Sequence, residues 1–234
     1  LAISYSNYSF LPKEQWFELI NRIDQDVFPE YSDFYKLWDS WELGAIDTAW
    51  EKPYGRIVNE HFREHGVMKS TQSRRSQEGD NKLYNKIKKS NKEIIMPLYH
   101  DLHADGKSEK KLMTSLIAPI QRETGDFAGA VGVDIAMDRF QERIKSIEIE
   151  TFPGSFAFLL SHKGKYAVHP DTSLLNKTIE SNPTNTKDFS ISKKLREGKS
   201  FSIVQHQKEG QKNYISFAPI KIGNTKTPWY APFR

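Results

Sequence analysis

The chain of 234 residues contains no cysteine. Disulfide frameworks, cysteine-based zinc sites and thiol nucleophiles are therefore excluded, and the redox compartment is left open. No stretch of 18 consecutive apolar residues occurs and no signal peptide opens the chain, so this segment by itself is read as soluble. Charge of one sign is also lacking. The 34 basic residues are interspersed with 30 acidic ones, leaving a net charge of +4, which describes a mixed solvated surface and no footprint for nucleic acid. The densest basic run, Lys82–Lys92 (KLYNKIKKSNK), reads as the exposed face of a helix, because Leu83, Tyr84 and Ile87 fall on its opposite side.

What is present is a large stock of core formers: five Trp, ten Tyr and fourteen Phe place the chain among globular proteins. Its length admits one large domain or two ordinary ones. The chain opens on Leu1 and closes on the apolar run TPWYAPFR, so the expectation is a piece excised from a longer protein whose membrane spans lie outside it.

Apolar positions at three- and four-residue steps predict an amphipathic helix over Lys13–Phe28, ended by Pro29. Phe34–Ile46 reads as a strand, with helix periodicity fitting almost as well. Arg56–Met68 reads as a hairpin turning at Glu64-His65-Gly66, followed by a polar, flexible stretch, Ser70–Gly79. A helix near Asp80–Lys89 and a short β segment, Ile94–Tyr99, broken by Pro97, come next. Lys111–Ile120 and Phe127–Ile135 form a central antiparallel hairpin with its loop at Glu123–Asp126, and a helix over Met137–Ile147 leaves it. The remainder repeats the plan in reduced form. Phe156–Leu160, a Lys163-Gly164 turn, Tyr166–Val168, a helix near Ser190–Leu195, Phe201–His206, a Glu209-Gly210 turn and Tyr214–Ile220 give four or five antiparallel strands. The fold class is α/β (α+β): two tandem modules, each an antiparallel sheet flanked by helices. Their boundaries are 1–136, a connecting helix over 137–150, and 151–234.

Motifs of catalysis are missing. No GxSxG, P-loop or dinucleotide fingerprint occurs. His61 and His65 share i, i+4 spacing, but in a predicted hairpin and without the Glu of a metalloprotease helix, so they read as a chance surface pair. No catalytic residue, metal site or cofactor is assigned. In FAGAVGVDI the small residues Ala128, Gly129, Ala130 and Gly132 permit close backbone approach, which suits a sheet face leaving room for a ligand. That strand then reaches a carboxylate, Asp134, whose burial requires a protein partner or a cationic ligand.

The stretches KPYGR (52–56), MTSLIAPI (113–120), FAGAVGVDI running into DRFQERI (127–144), SFAFLLSHKGKYAVHP (155–170) and YISFAPIKIGNTKTPW (214–229) resemble the double Cache family. These are tandem PAS-like sensor modules outside the membrane in bacterial receptors, with the nearest likeness to methyl-accepting chemotaxis receptors. The resemblance implies a periplasmic sensor domain of an inner-membrane receptor, not an enzyme. It implies a small-molecule ligand in the membrane-distal module and a homodimer formed through the long N-terminal helix that leads out of the membrane, which is expected to be missing or mostly trimmed from this piece. The same module serves as input to sensor histidine kinases and other signalling proteins. A reading of a different class is a periplasmic hydrolase or binding module.

Amino-acid-binding members place an Arg three residues before a Trp-Tyr pair, a Tyr on the next strand and an Asp ending the sheet. Here the pair falls on Leu83 and Tyr84, the Arg on Asp80, the strand Tyr on Tyr99 and the carboxylate on Asp134. Reversal of charge at Asp80 argues against a standard α-amino acid unless Lys82 or Arg56 reaches in to hold its carboxylate. What remains suits an amine-bearing or cationic ligand, with Asp134 for charge and Tyr84 and Tyr99 for hydroxyl or cation–π contacts. Ser115 and Thr114 add hydroxyls on the facing strand. Trp38, Trp41 and Trp50 are candidates to wall the pocket, with core packing as the alternative, and His169-Pro170-Asp171 reads as a structural turn.

Overall fold

The computed structural model describes residues 1, 2, 5, 12–47, 49–64, 67–77, 79, 82–100, 111–145, 147, 152–181, 191–206, 212–226 and 228–234. The chain divides into two compact units, Leu1–Ile95 with Ser115–Ile135 and Met96–Thr114 with Ala136–Arg234. The return of residues 96–114 to the second unit is a discontinuity with no counterpart in the sequence reading.

In the first unit, helix α1 (Lys13–Glu30) buries Trp16, Ile20, Asp24 and Phe28, one residue per turn on a single stripe. Pro29 does not stop it at Phe28 as the sequence predicts. It sits inside the last turn, where its missing N–H forfeits the one bond to the Gln25 carbonyl and only Glu30 follows in the helix. Strand β1 (Phe34–Glu42) follows, and the predicted continuation to Ile46 is instead a single helical turn, α2 (Leu43–Ile46). Strands β2 (Arg56–Glu64) and β3 (Val67–Arg75) pair antiparallel from Glu64↔Val67 to Arg56↔Arg75. The stretch read as flexible from Ser70 is therefore strand as far as Arg75. Every β3 residue is exposed, so the ladder to β2 and no hydrophobic alternation holds it. Of the turn, His65 and Gly66 lie outside the described residues.

Helix α3 (Lys82–Ser90) buries Tyr84 and Ile87. Strands β4 (Ile94–Ile95), β6 (Leu112–Gln121) and β7 (Phe127–Ala136) complete the order β3-β2-β1-β7-β6-β4. The core on the α1 face joins Trp16, Ile20 and Phe28 to Tyr5, Leu37, Trp41, Ile120 and Val131, with Trp16 set edge-on to Trp41 at 4.1 Å.

In the second unit, β5 (Tyr99–His100) pairs with the first residues of β6, and helix α4 (Met137–Lys145) starts where predicted, with Ile147 outside it. Strands β8 (Leu159–Leu160), β9 (Tyr166–Val168), β10 (Phe201–His206), β11 (Lys212–Ile220) and β12 (Trp229–Phe233) form a sheet in the order β10-β11-β12-β8-β9. The predicted strand Phe156–Leu160 is regular only at its last two residues, preceded by a single bridge from Ala157 to Phe233. Helix α5 (Ile191–Glu197) packs Ile191 and Leu195 with Phe158, Leu160, Tyr166, Ile215, Phe217 and Tyr230. Residues 209 and 210 lie outside the described residues. The fold is α+β, with antiparallel sheets. Among the described residues no helix is long and apolar enough to cross a membrane.

Candidate functional site

Alternation along β1 sends Leu37, Asp39 and Trp41 toward α1, and Lys36, Trp38, Ser40 and Glu42 to the opposite face. The register with β2 and β7 sets Arg56 beside Glu42, Val58 beside Ser40, Ala130 beside Ser40, Gly132 beside Trp38 and Asp134 beside Lys36 on that opposite face. A polar row thus crosses the middle of the first unit's sheet.

Two hydrogen-bonded groups organise it. At one end the Trp38 indole N–H and the Ser115 hydroxyl both donate to Oδ1 of Asp134, at 3.1 and 2.7 Å, which sets the orientation of the carboxylate. Gly132 makes this possible: a Cβ there would come within 2.4 Å of the Trp38 ring, so the indole lies across the glycine. The room that Gly132 leaves is thus taken by Trp38, which corrects the expectation that it leaves space for a ligand. At the other end the Tyr84 hydroxyl donates to Glu42 Oε1 at 2.7 Å, and Lys88 Nζ stands 2.7 Å from Oε2. The Arg56 guanidinium lies 3.8 Å over the Tyr84 ring and donates to the Ser40 hydroxyl at 2.9 Å. Burial, then the charge of Glu42, holds the Tyr84 hydroxyl well above the ordinary phenol range, with Arg56 opposing, so Tyr84 remains a donor. Lys36 Nζ reaches Glu60 on β2 at 3.1 Å.

Of the sequence candidates, Asp134, Tyr84, Ser115 and Arg56 come together on this face. Trp41 does not: it is 1% exposed and packs against Trp16 and Tyr5 on the α1 side. Lys82 is exposed on the outer side of α3, alongside Asn85, Lys86 and Lys89. Tyr99 belongs to the second unit, paired with Met113, and Thr114 in that unit donates to the Met96 carbonyl at 2.8 Å. Asp80 lies outside the described residues. Trp50 donates to the Tyr54 carbonyl at 2.6 Å. Sequence reasoning missed Glu42, Lys88, Ser40 and Lys36, although period-two alternation from Trp38 already places Lys36, Ser40 and Glu42 on one face. Among the described residues, no group of three or more His, Asp or Glu side chains is placed to hold a metal ion.

No family model matches the chain. The methyl-accepting chemotaxis protein PscA of Pseudomonas syringae pv. tomato is 32% identical over 124 residues, covering 53% of this chain and 18% of that protein. The matched segment spans less than a fifth of the length of these curated relatives, which are methyl-accepting chemotaxis proteins. The extracellular domain of mmHK1S-Z3, described as a histidine kinase, has a TM-score of 0.71 at 17% identity, with 100% of this chain and 83% of that one covered. The ligand-binding domain of the Pseudomonas aeruginosa PAO1 amino acid chemoreceptor PctC, solved in complex with GABA, gives 0.54 at 18% identity, over 91% and 78%. The fold is that of extracellular sensor domains of chemoreceptors and histidine kinases.

Proposed function

We propose that this chain is the extracytoplasmic sensor domain of a transmembrane chemoreceptor, binding a small amine-bearing molecule on the Trp38–Asp134 face of its first unit. The observation that carries the ligand class is the Asp134 carboxylate, 9% exposed, which accepts from Trp38 and Ser115 and stands beside Lys36 in the register with β1. A carboxylate held in a fixed orientation on this face is an acceptor that an ammonium group of a ligand can use for a charge-assisted hydrogen bond. GABA, named for PctC, bears such a group. The 32% identity with a chemotaxis protein favours the chemoreceptor over the histidine-kinase input, since the structural likeness serves both.

On this reading the chain binds and does not turn over its ligand. The first unit is the membrane-distal one in the periplasm, and occupancy biases two packings that the parent protein transmits through the inner membrane. A differential affinity of a few kcal/mol is enough for that bias. The test is a thermal-shift screen of the chain against amines, amino acids, organic acids and nucleobases. A ligand at 100 times its dissociation constant adds ~2.7 kcal/mol of stability. Stabilisation by amine-bearing compounds supports the proposal. Stabilisation confined to organic acids or nucleobases contradicts the ligand class, and turnover of any hit contradicts the binding role.

A further inference from the structure

On the other side of the first sheet, beneath α1, lies a polar cluster that the ligand face does not use. Asp24 interrupts the buried stripe Trp16–Ile20–Phe28. The Tyr5 hydroxyl donates to its Oδ1. His61, from β2, brings Nε2 to 3.5 Å from its Oδ2, and Asp39 reaches the same space from β1. Tyr5, Asp24, Asp39 and His61 are each 0% exposed, which corrects the reading of His61 as a surface residue. Asn59 Nδ2 donates to Asp39 Oδ1 at 2.8 Å and is itself held by Gln72, while Ser70 Oγ lies 2.8 Å from His61 Nδ1. Beyond these contacts, Asp24 Oδ2, Asp39 Oδ2 and His61 Nε2 have no hydrogen-bond partner among the described residues, and neither do the indole nitrogens of Trp16 and Trp41.

Two carboxylates ionised together in space shut off from water are strongly disfavoured. One proton shared between them removes a charge and supplies a missing donor. Asp39 is the group suited to carry it. Burial, then the charge of Asp24, holds its carboxyl well above the usual carboxylate range, although the bond from Asn59 pulls the other way.

We propose that the Asp24–Asp39 pair, with His61 beside it, is a proton-binding site that ties the seating of α1 on the first sheet to pH. The groups facing it can be named element by element. Helix α1 contributes Asp24, β1 contributes Asp39, and β2 contributes His61, Asn59 and, two residues further, Arg63. The Arg63 guanidinium is directed at the carbonyls of Phe28 and Phe34, at 3.0 and 2.8 Å. Strand β3 contributes the neutral Ser70 and Gln72, and its Arg74 lies over Trp50. Strand β7 sets Val131 opposite Asp39. The Tyr5 hydroxyl, raised by burial and by Asp24, remains a donor throughout.

The sign follows from the raised affinity of Asp39 for its proton. Stability from the protonated pair is complete below the ordinary Asp value of about 3.9 and is lost as pH rises through the higher folded-state value. Helix α1 is therefore firmly seated in acid and loosens toward alkaline pH, which would let the domain report pH independently of its ligand.

The deciding experiment is a carbon-13 NMR titration of the aspartate carboxyls in the full chain, with amide hydrogen exchange followed across Lys13–Glu30. Asp39 is expected to bind its proton more tightly than a free Asp, titrating above the ordinary carboxylate range. Protection of α1, corrected for intrinsic exchange, is expected to fall as pH passes that point. Asp39→Asn, which supplies a permanent amide donor, makes α1 protection independent of pH, and Asp24→Asn lowers the titration point of Asp39. An Asp39 carboxyl titrating at or below the ordinary value overturns the proposal. Identical pH dependence of α1 in wild type and Asp39→Asn does the same. The wild-type titration needs no variant, so a poorly folding substitution leaves the test standing.

Discussion

Trp38 and Gly132 act as a pair. The indole can donate to Asp134 only because no side chain rises from β7 beneath it. In Gly132→Ala the new methyl would stand 2.4 Å from ring carbon, so Trp38 must move and its bond to Asp134 is broken. A loss of about 1–3 kcal/mol in urea denaturation, with altered tryptophan fluorescence, is expected from such overpacking. Tyr84→Phe removes one of two donors described on Glu42, whose side chain is largely buried, and the expected loss is about 1–3 kcal/mol. That Tyr84 and Asp134 share a face was expected from the resemblance to the double Cache family, which sets both in one pocket. Their partners were not. Glu42 lies 42 residues from Tyr84 and 46 from Lys88, and nothing local in either stretch announces the contact.

Elements that bury one side were readable, and those that bury neither were not. Helix α1 announces itself by its apolar spacing and β6 and β7 by their long apolar runs, whereas β3 is exposed along its whole length and its polar residues imitate a loop. The turn α2 was hidden inside a run that fits strand and helix equally. In the second unit, α4 is clasped to the residue that follows β9 by one side chain: Gln141 donates to the His169 carbonyl at 2.6 Å and accepts from the His169 N–H at 3.1 Å. Gln141→Ala leaves both backbone groups of a residue only 7% exposed without this partner. A destabilisation of about 1–3 kcal/mol is expected in urea denaturation, with faster amide exchange in Tyr166–Val168 as the local sign.

The whole chain combines a fold shared with receptor sensor domains at 15–19% identity over most of its length with a closer, 32% likeness to a chemotaxis protein over about half of it. The polar face of the first sheet and the buried cluster beneath α1 lie on opposite sides of β1. Ligand and proton would therefore act on one central strand from its two faces, each biasing the same unit. The ligand-binding role proposed for the polar face rests on Asp134. It is tested most directly by isothermal titration of the strongest amine hit into wild type and Asp134→Asn at equal pH. Removing one partner of a buried charge pair costs about 2–5 kcal/mol, so the affinity is expected to fall at least ~30-fold. Equal affinity in the two proteins would contradict the assignment of ligand binding to this face.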